Sequence, residues 1–380
     1  MRIASDTDPR AILAISPFAS PDARLIASIC EAGALCVLDL GADPTASQSA
    51  LVDLKRWTDR PFGLRVGPAC GLDPTTIRDS GASLLLLAPQ TDLTSLDSLI
   101  SQSRQGLPAD VLVEVRDLTE ARAALNHPVS GIVSRGSDSG GLTGDTSSFV
   151  LLQELLNADL GLPIWAAGGI GPHTVRAVMA AGAAGILLDT QLALLEEATI
   201  PTALRSALRR MDGSESTSVD GYRVLRQRPK IGHAPGCTSL PQRLSAEQIN
   251  PQQLGVDPER QWVPVGQDGF LARRYAERWG DVTAMISGLR AAMNAPSDPS
   301  LLLEASPLAQ DMGTRLPLAQ GPMTRVSDQP EFAASVAAEG GLPFIALAMS
   351  SAEQSRTMLK GAQQLLADQP WGGRHPRLRR

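Results

Sequence analysis

Lysine is nearly missing from this chain: Lys55, Lys230 and Lys360 are its three examples in 380 residues. None falls at the C-terminal end of an expected strand, so aldolase- or isomerase-type chemistry through a lysine Schiff base has no amine to use. Histidine is almost as rare, with four residues, and His233 and Cys237 lie four apart without two further ligands beside them. The cysteines Cys30, Cys36, Cys70 and Cys237 also lack metal-ligand spacing, so no metal is expected. The start of the chain has no basic segment followed by an apolar one, which points to reduced thiols and a cytoplasmic setting. Apolar runs such as residues 83–88 and 185–188 stop far short of the roughly 18 residues that span a bilayer, so no membrane partner is expected. Lys and Arg together number 34 against 40 for Asp and Glu, with no basic stripe, which argues against nucleic acid. Aromatics are 3% of the chain, so its cores must be Leu, Ala, Ile and Val.

What is present is a regular beat. Residues 163–190 hold a short apolar run closed by Gly168 and Gly169, a helical pattern opening near Pro172 and ending at Gly182, and a second apolar run at 186–188. Two strands joined by one helix are parallel, so this is a βαβ unit. The glycine pair allows close backbone approach, and the N–H groups beyond it suit an anion such as phosphate; a tight connection is the other reading. Earlier runs at residues 11–15, 34–38, 62–66, 83–87, 110–115 and 131–134 read as six more strands. The helices between them are expected at 21–31 (capped by Ser20), 47–57, 74–79, 93–105, 118–125 and 148–157, with a closing helix from Gln191. Eight βα beats in about 190 residues suit a (β/α)8 TIM barrel better than the alternative, an open doubly wound sheet.

The beat stops over residues 205–315, which read as an irregular linker with one amphipathic helix at 269–293. It resumes at Leu316: a strand to Gln320, a helix at 330–339, a strand at 343–348 and a helix at 352–366 repeat the plan of residues 11–40. The expected division is therefore a barrel at 1–204, the linker at 205–315, the truncated start of a second barrel at 316–373 and a basic tail at 374–380.

Three motifs now resemble those of the nitronate monooxygenase (2-nitropropane dioxygenase) family, FMN-dependent TIM barrels related to flavin enoyl reductases. PLAQGPMTRVSD (317–328) with AAEGGLPFIALA (337–348) is similar to the family's opening strand and helix, where the resemblance puts the backbone at Met323 against the flavin. SRGSDSGGLTG (134–144) resembles the loop that carries the family's catalytic histidine, with Gly140 and Gly141 beside the cofactor. AAGGIGPHTVRAVMAAGAAGILLDTQL (166–192) resembles the phosphate-binding unit, which implies Gly168, Gly169 and Thr190 at the FMN phosphate. Two such barrels with WVPVGQDGFLARRYAERWGDV (262–282) between them resemble the N-terminal region of polyketide or polyunsaturated fatty acid synthases. The implied substrates are small molecules or acyl thioesters, and the implied partners are other synthase domains.

Two positions depart from the family pattern. Leu142 stands where the family has its histidine, and a leucine is no base, so the catalytic residue is unknown. Asp189 stands where the family has glycine beside the phosphate, and a carboxylate there repels a dianion unless it points away. His127 and His173 occupy neither position. Asp138 either orients a substrate or closes its own loop, Arg135 either meets an anion or stays solvated at the surface, and Cys70 either faces the site or packs near a strand end. The chain is thus expected to be an FMN-dependent oxidoreductase module, or else a degenerate barrel serving as a structural or docking part of a synthase.

Overall fold

Short runs buried on both faces become parallel strands, and here eight of them close on themselves. The computed structural model describes residues 11–92, 110–226, 249–295, 300 and 302–372. The helix expected at 93–105, His233, Cys237 and the tail at 374–380 lie outside them. The strands of the first part are β1 (Ile12–Ile15), β2 (Leu35–Asp39), β3 (Gly63–Val66), β4 (Leu84–Leu87), β5 (Asp110–Val115), β6 (Gly131–Arg135), β7 (Gly141–Leu142), β8 (Ile164–Ala167) and β9 (Gly185–Leu188). All but β7 form a closed parallel barrel, and β9 returns to β1 with Ile12 opposite Ile186. Closure decides between the barrel and the open sheet.

Period-two alternation sends one set of side chains inward and the other against the helices. Leu13, Val37, Leu86, Leu112, Val133 and Leu187 belong to the inner set, with Trp165 among them. That indole needs room, and Gly131 and Gly185 provide it: a Cβ at either would sit 2.7 Å from Trp165. The outer set packs on helices that include Ala23–Glu31, Pro44–Trp57, Ser148–Asn157 and Val175–Ala181.

Several boundaries differ from expectation for local reasons. Asp22, not Ser20, caps the first helix, accepting the Leu25 N–H at 3.2 Å. Pro172 lies outside its helix because residues 171–174 form a turn in which the Gly171 N–H donates to Thr174 Oγ1. Gly182 does end that helix, at φ +108°. Thr190–Leu192 is one 3-10 turn, and the closing helix begins only at Thr202. Cys30 and Cys36 are joined in a disulfide across the turn at Gly33, so this pair corrects the expectation of reduced thiols; Cys70 is free. Their Cα atoms are 5.4 Å apart, within bridging range.

The stretch expected as irregular linker is built onto the barrel as far as Ala295. β10 (Ser216–Val219) and β11 (Tyr222–Leu225) make a hairpin whose second strand pairs with β7. The single amphipathic helix is two, Leu271–Trp279 and Val282–Asn294, because Gly280 turns the chain at φ +77° and Asp281 caps the second. Tyr275, Val282, Met285, Ile286 and Leu289 join the core outside the staves. The chain divides into two compact units, Met1–Ala295 and Pro296–Arg380.

The second unit pairs β12 (Ala319–Gln320) with β13 (Leu342–Pro343) in parallel, so the strand expected at 343–348 is mostly unpaired. The helices Pro330–Ala338 and Ala352–Leu366 cover a small core of Ala333, Ile345, Ala362, Leu366 and Trp371. Among the described residues no helix is long and apolar enough to cross a membrane.

Candidate functional site

A barrel's reactive end is where its strands finish, and here the inward parity of the staves delivers charge to that end. Two residues beyond inward Val37, Leu112, Val133 and Leu187 come Asp39, Glu114, Arg135 and Asp189, and Arg65 joins them from β3. Arg65 donates to Asp39 at 2.7 Å and grips Glu114 with two bonds of 2.8 Å. Arg135 donates to the same two oxygens of Glu114 at 3.0 and 3.1 Å, to Asp189 at 3.2 Å and to the Gly140 carbonyl at 2.9 Å. Glu114 is 1% exposed and Arg135 3%.

Charges buried this deeply survive only when paired and hydrogen-bonded. Burial pushes Glu114 up, but Arg135 and Arg65 outweigh it and hold its pKa at about 2. Burial likewise pulls the Arg65 guanidinium down, and Glu114 and Asp39 reverse that shift to leave it raised. Arg135, placed at the surface by the sequence, is interior, and of the two roles weighed it takes the first, meeting the carboxylates of Glu114 and Asp189. Beside this network the mouth retains one cavity of about 50 Å³, lined by Ser16, Arg65, Arg135 and Asp189, and one of about 60 Å³, lined by Cys70, Leu142 and Tyr222. Burial raises the Cys70 thiol above its ordinary value.

The glycine-rich loop faces the chain itself. A Cβ at Gly140 would meet the Pro264 carbonyl oxygen at 2.6 Å, and Gly141 (φ +82°) lies against the same proline. Leu142 packs with Tyr222, Val224, Ile249 and Trp262 in an apolar cluster. Asp138 accepts the Ser148 N–H at 2.9 Å at the start of the Ser148–Asn157 helix, which is the loop-closing role.

Gly168 and Gly169 follow β8 directly, and Thr190 lies two residues beyond the end of β9, the stave paired with it. Gly168 (φ +95°) turns toward Ser139 and Ser148, whose hydroxyl oxygens lie 2.5 and 2.6 Å from where a Cβ would be. The Gly169 N–H donates to Asp268 Oδ2 at 3.1 Å, and Gln191 Nε2 donates to the same oxygen at 3.2 Å. The Thr190 N–H donates to Asp189 Oδ1 at 2.6 Å. Asp268, which sequence reasoning missed, is 2% exposed. Burial pushes its pKa well above the usual carboxylate range, Asp189 adds to that, and the Gly169 N–H and Arg135 oppose it. Among the described residues Asp268 Oδ1 and Ser139 Oγ have no hydrogen-bond partner.

Outside this turn, an open pocket of about 700 Å³ is lined by Gly169, His173, Asp268, Arg274, Arg278 and Trp279. Tyr275 borders it, its hydroxyl donating to the Ile170 carbonyl at 3.0 Å. His127 sits before β6, at the opposite end of the strands. Met323 belongs to the second unit, where its N–H donates to Ser327 Oγ at 2.7 Å and its side chain is exposed. No group of three metal-ligating side chains occurs among the described residues.

Comparison with known proteins agrees with this architecture. Residues 91–225 match the family model described as nitronate monooxygenase. A (3aS,4S,5R,7aS)-5-hydroxy-7a-methyl-1-oxo-octahydro-1H-indene-4-carboxyl-CoA dehydrogenase of Rhodococcus jostii is 28% identical over 267 residues, 67% of this chain and 73% of that protein. Against the enzyme of the same name from Mycobacterium tuberculosis, the chain spans 59% of the relative's length. The structure of FabK from Thermotoga maritima superposes with a TM-score of 0.61 at 20% identity, over 75% of this chain and 93% of that one. Nitroalkane oxidase from Streptomyces ansochromogenes gives a TM-score of 0.56 at 21% identity, over 77% and 98%. These two share the fold, and the names of the matched family and of the dehydrogenase are those of oxidoreductases.

Proposed function

We propose, from the match of residues 91–225 to the nitronate monooxygenase family model, that this chain is part of a flavin-dependent oxidoreductase acting on acyl thioesters, in which the first barrel is a closed, non-catalytic module. The observation that carries the second clause is the buried network of Asp39, Arg65, Glu114, Arg135 and Asp189 across the strand ends. A site for a ligand of cofactor size measures roughly 300–1,000 Å³, and among the described residues the mouth shows cavities of about 50 and 60 Å³. The residues of this mouth therefore do not fit a flavin ring, and no catalytic step is assigned to them. Leu142 supplies no base.

The family match supports a flavin as the cofactor of the parent chemistry, with FMN as the finer reading. The dehydrogenase relative is named for a coenzyme A thioester, which supports an acyl thioester as the substrate class. In this reading the segment from Leu316 opens the barrel that holds the flavin, near Met323, and neighbouring synthase domains are the partners. A second reading, flavin bound by the first barrel itself, draws on the Gly168–Gly169 turn, which keeps the left-handed backbone suited to close approach. A visible absorbance spectrum of the purified chain titrated with FMN separates the two. We expect a colourless protein that takes up no flavin; near-stoichiometric uptake that disappears in Gly169→Val overturns the closed-barrel reading.

A further inference from the structure

The chain holds, at its own anion turn, a group that takes the place of the anion. We infer that Asp268, carried on the segment between Trp262 and the helix Leu271–Trp279, is a built-in occupant of the phosphate position, so that this barrel is kept shut from within. The inference rests on the closed-barrel reading and says what does the closing.

Three observations meet here. Three donors at the ends of β8 and β9 are taken: the Gly169 N–H and the Gln191 side-chain amide both end on Asp268 Oδ2, and the Thr190 N–H ends on Asp189. The segment carrying Asp268 is seated backbone to backbone against the glycine-rich loop. A Cβ at Gly266 would lie 2.1 Å from the Asp138 carbonyl oxygen and one at Gly140 would lie 2.6 Å from that of Pro264, and the Asp268 N–H donates to the Asp138 carbonyl at 3.3 Å. Contact this close requires glycine on both sides and leaves no layer for a ligand between them. Lastly, Asp268 Oδ1 and Ser139 Oγ are buried without hydrogen-bond partners among the described residues. A buried polar atom left unpaired loses its hydration without replacement, so this seat is tolerated rather than optimal. Such a site should accept a better hydrogen-bonding guest once the carboxyl is gone.

Access for a guest is built in. Gly169 and Asp268 both line the open pocket of about 700 Å³, so removing the Asp268 side chain connects the turn's donors to solvent on that side. Arg274 and Arg278 on the same pocket's walls are matched there by the carboxylates of Asp138 and Glu277, so any selectivity for an anion comes from the turn's own donors.

The test uses inorganic phosphate and the full chain, comparing thermal unfolding in phosphate with chloride at matched ionic strength. Wild type should show no phosphate-specific change. Asp268→Ala should unfold at lower temperature than wild type and recover a few degrees in phosphate, as a ligand that binds only the native state requires. Asp268→Asn keeps a side chain in the seat and should stay unresponsive. A folded Asp268→Ala that ignores phosphate overturns the inference, as does a wild type that responds equally. Should Asp268→Ala not fold, hydrogen exchange of the Gly169 amide in wild type decides the matter. It should be slow and indifferent to phosphate, and slowing by phosphate would mean the position is open. Failure of the closed-barrel reading looks different, because it appears as flavin uptake by the wild-type chain.

Discussion

Arg135 and Glu114 meet in a paired contact at the barrel mouth, Nε to Oε2 at 3.0 Å and Nη2 to Oε1 at 3.1 Å, with both side chains almost wholly out of water. Arg65 approaches the same carboxylate from the other side, so one acid separates two guanidinium groups.

Removing that acid leaves the two arginines facing each other in a poorly solvated space. Glu114→Ala should lose about 3–5 kcal/mol of unfolding free energy, the usual cost of stranding a buried charge. Urea denaturation measures it, and a loss under about 1 kcal/mol would mean that water enters the mouth and screens the pair.

The same residue sets an acid limit. Its pKa falls from an ordinary 4.5 to about 2 on folding, so its stabilisation is complete above pH 4.5 and is lost as the pH drops toward 2. That shift is worth on the order of 3 kcal/mol. Asp268 works the other way. Its folded pKa is raised, so its contribution is present in acid and declines as the pH rises above the unfolded value toward the folded one. Urea midpoints between pH 7 and 3 should therefore fall less steeply in Glu114→Gln than in wild type, and equal slopes would remove Glu114 from the account.

Restoring the family histidine should not restore its chemistry. In Leu142→His the imidazole would enter the cluster of Tyr222, Val224, Ile249 and Trp262. An unpaired ring there costs about 1–3 kcal/mol. We expect a less stable protein with no nitroalkane oxidation in added FMN; measurable turnover would show the mouth to be open.

The second unit should govern behaviour in solution. Leu318, Met323, Val326 and Met349 are exposed on it, and its parallel pair β12 and β13 is a sheet of two strands. Small open sheets associate through their edges. A chain ending at Ala295 should be more monodisperse by light scattering than the full chain, and greater aggregation of the shorter form would point to a stabilising role for the second unit.

The staves were readable because each is a brief apolar run with a turn signal at its end, as at residues 110–115 and 131–134, and eight such runs with helices between them leave few architectures. The charged mouth was equally present in those runs, since Arg65 and Glu114 fall inside expected strands and Arg135 directly after one. Their common inward parity is the available signal, and it is masked where a strand is apolar on both faces. Asp268 had no local signal at all: its partners Gln191 and Gly169 stand 77 and 99 residues away, and neither period nor turn chemistry reports a contact at that range. The break at Gly280 was visible as a glycine before an aspartate but was outweighed by the apolar stripe on both sides of it.

That separation also fixes an order of events. During synthesis Gly169 leaves the ribosome 99 residues ahead of Asp268, an interval of about 5–20 s at ordinary elongation rates. All eight staves, ending at Leu188, are made before the segment that covers them. The nascent chain therefore holds every stave, but neither Asp268 nor the two helices that finish the outer core, for seconds before translation delivers them.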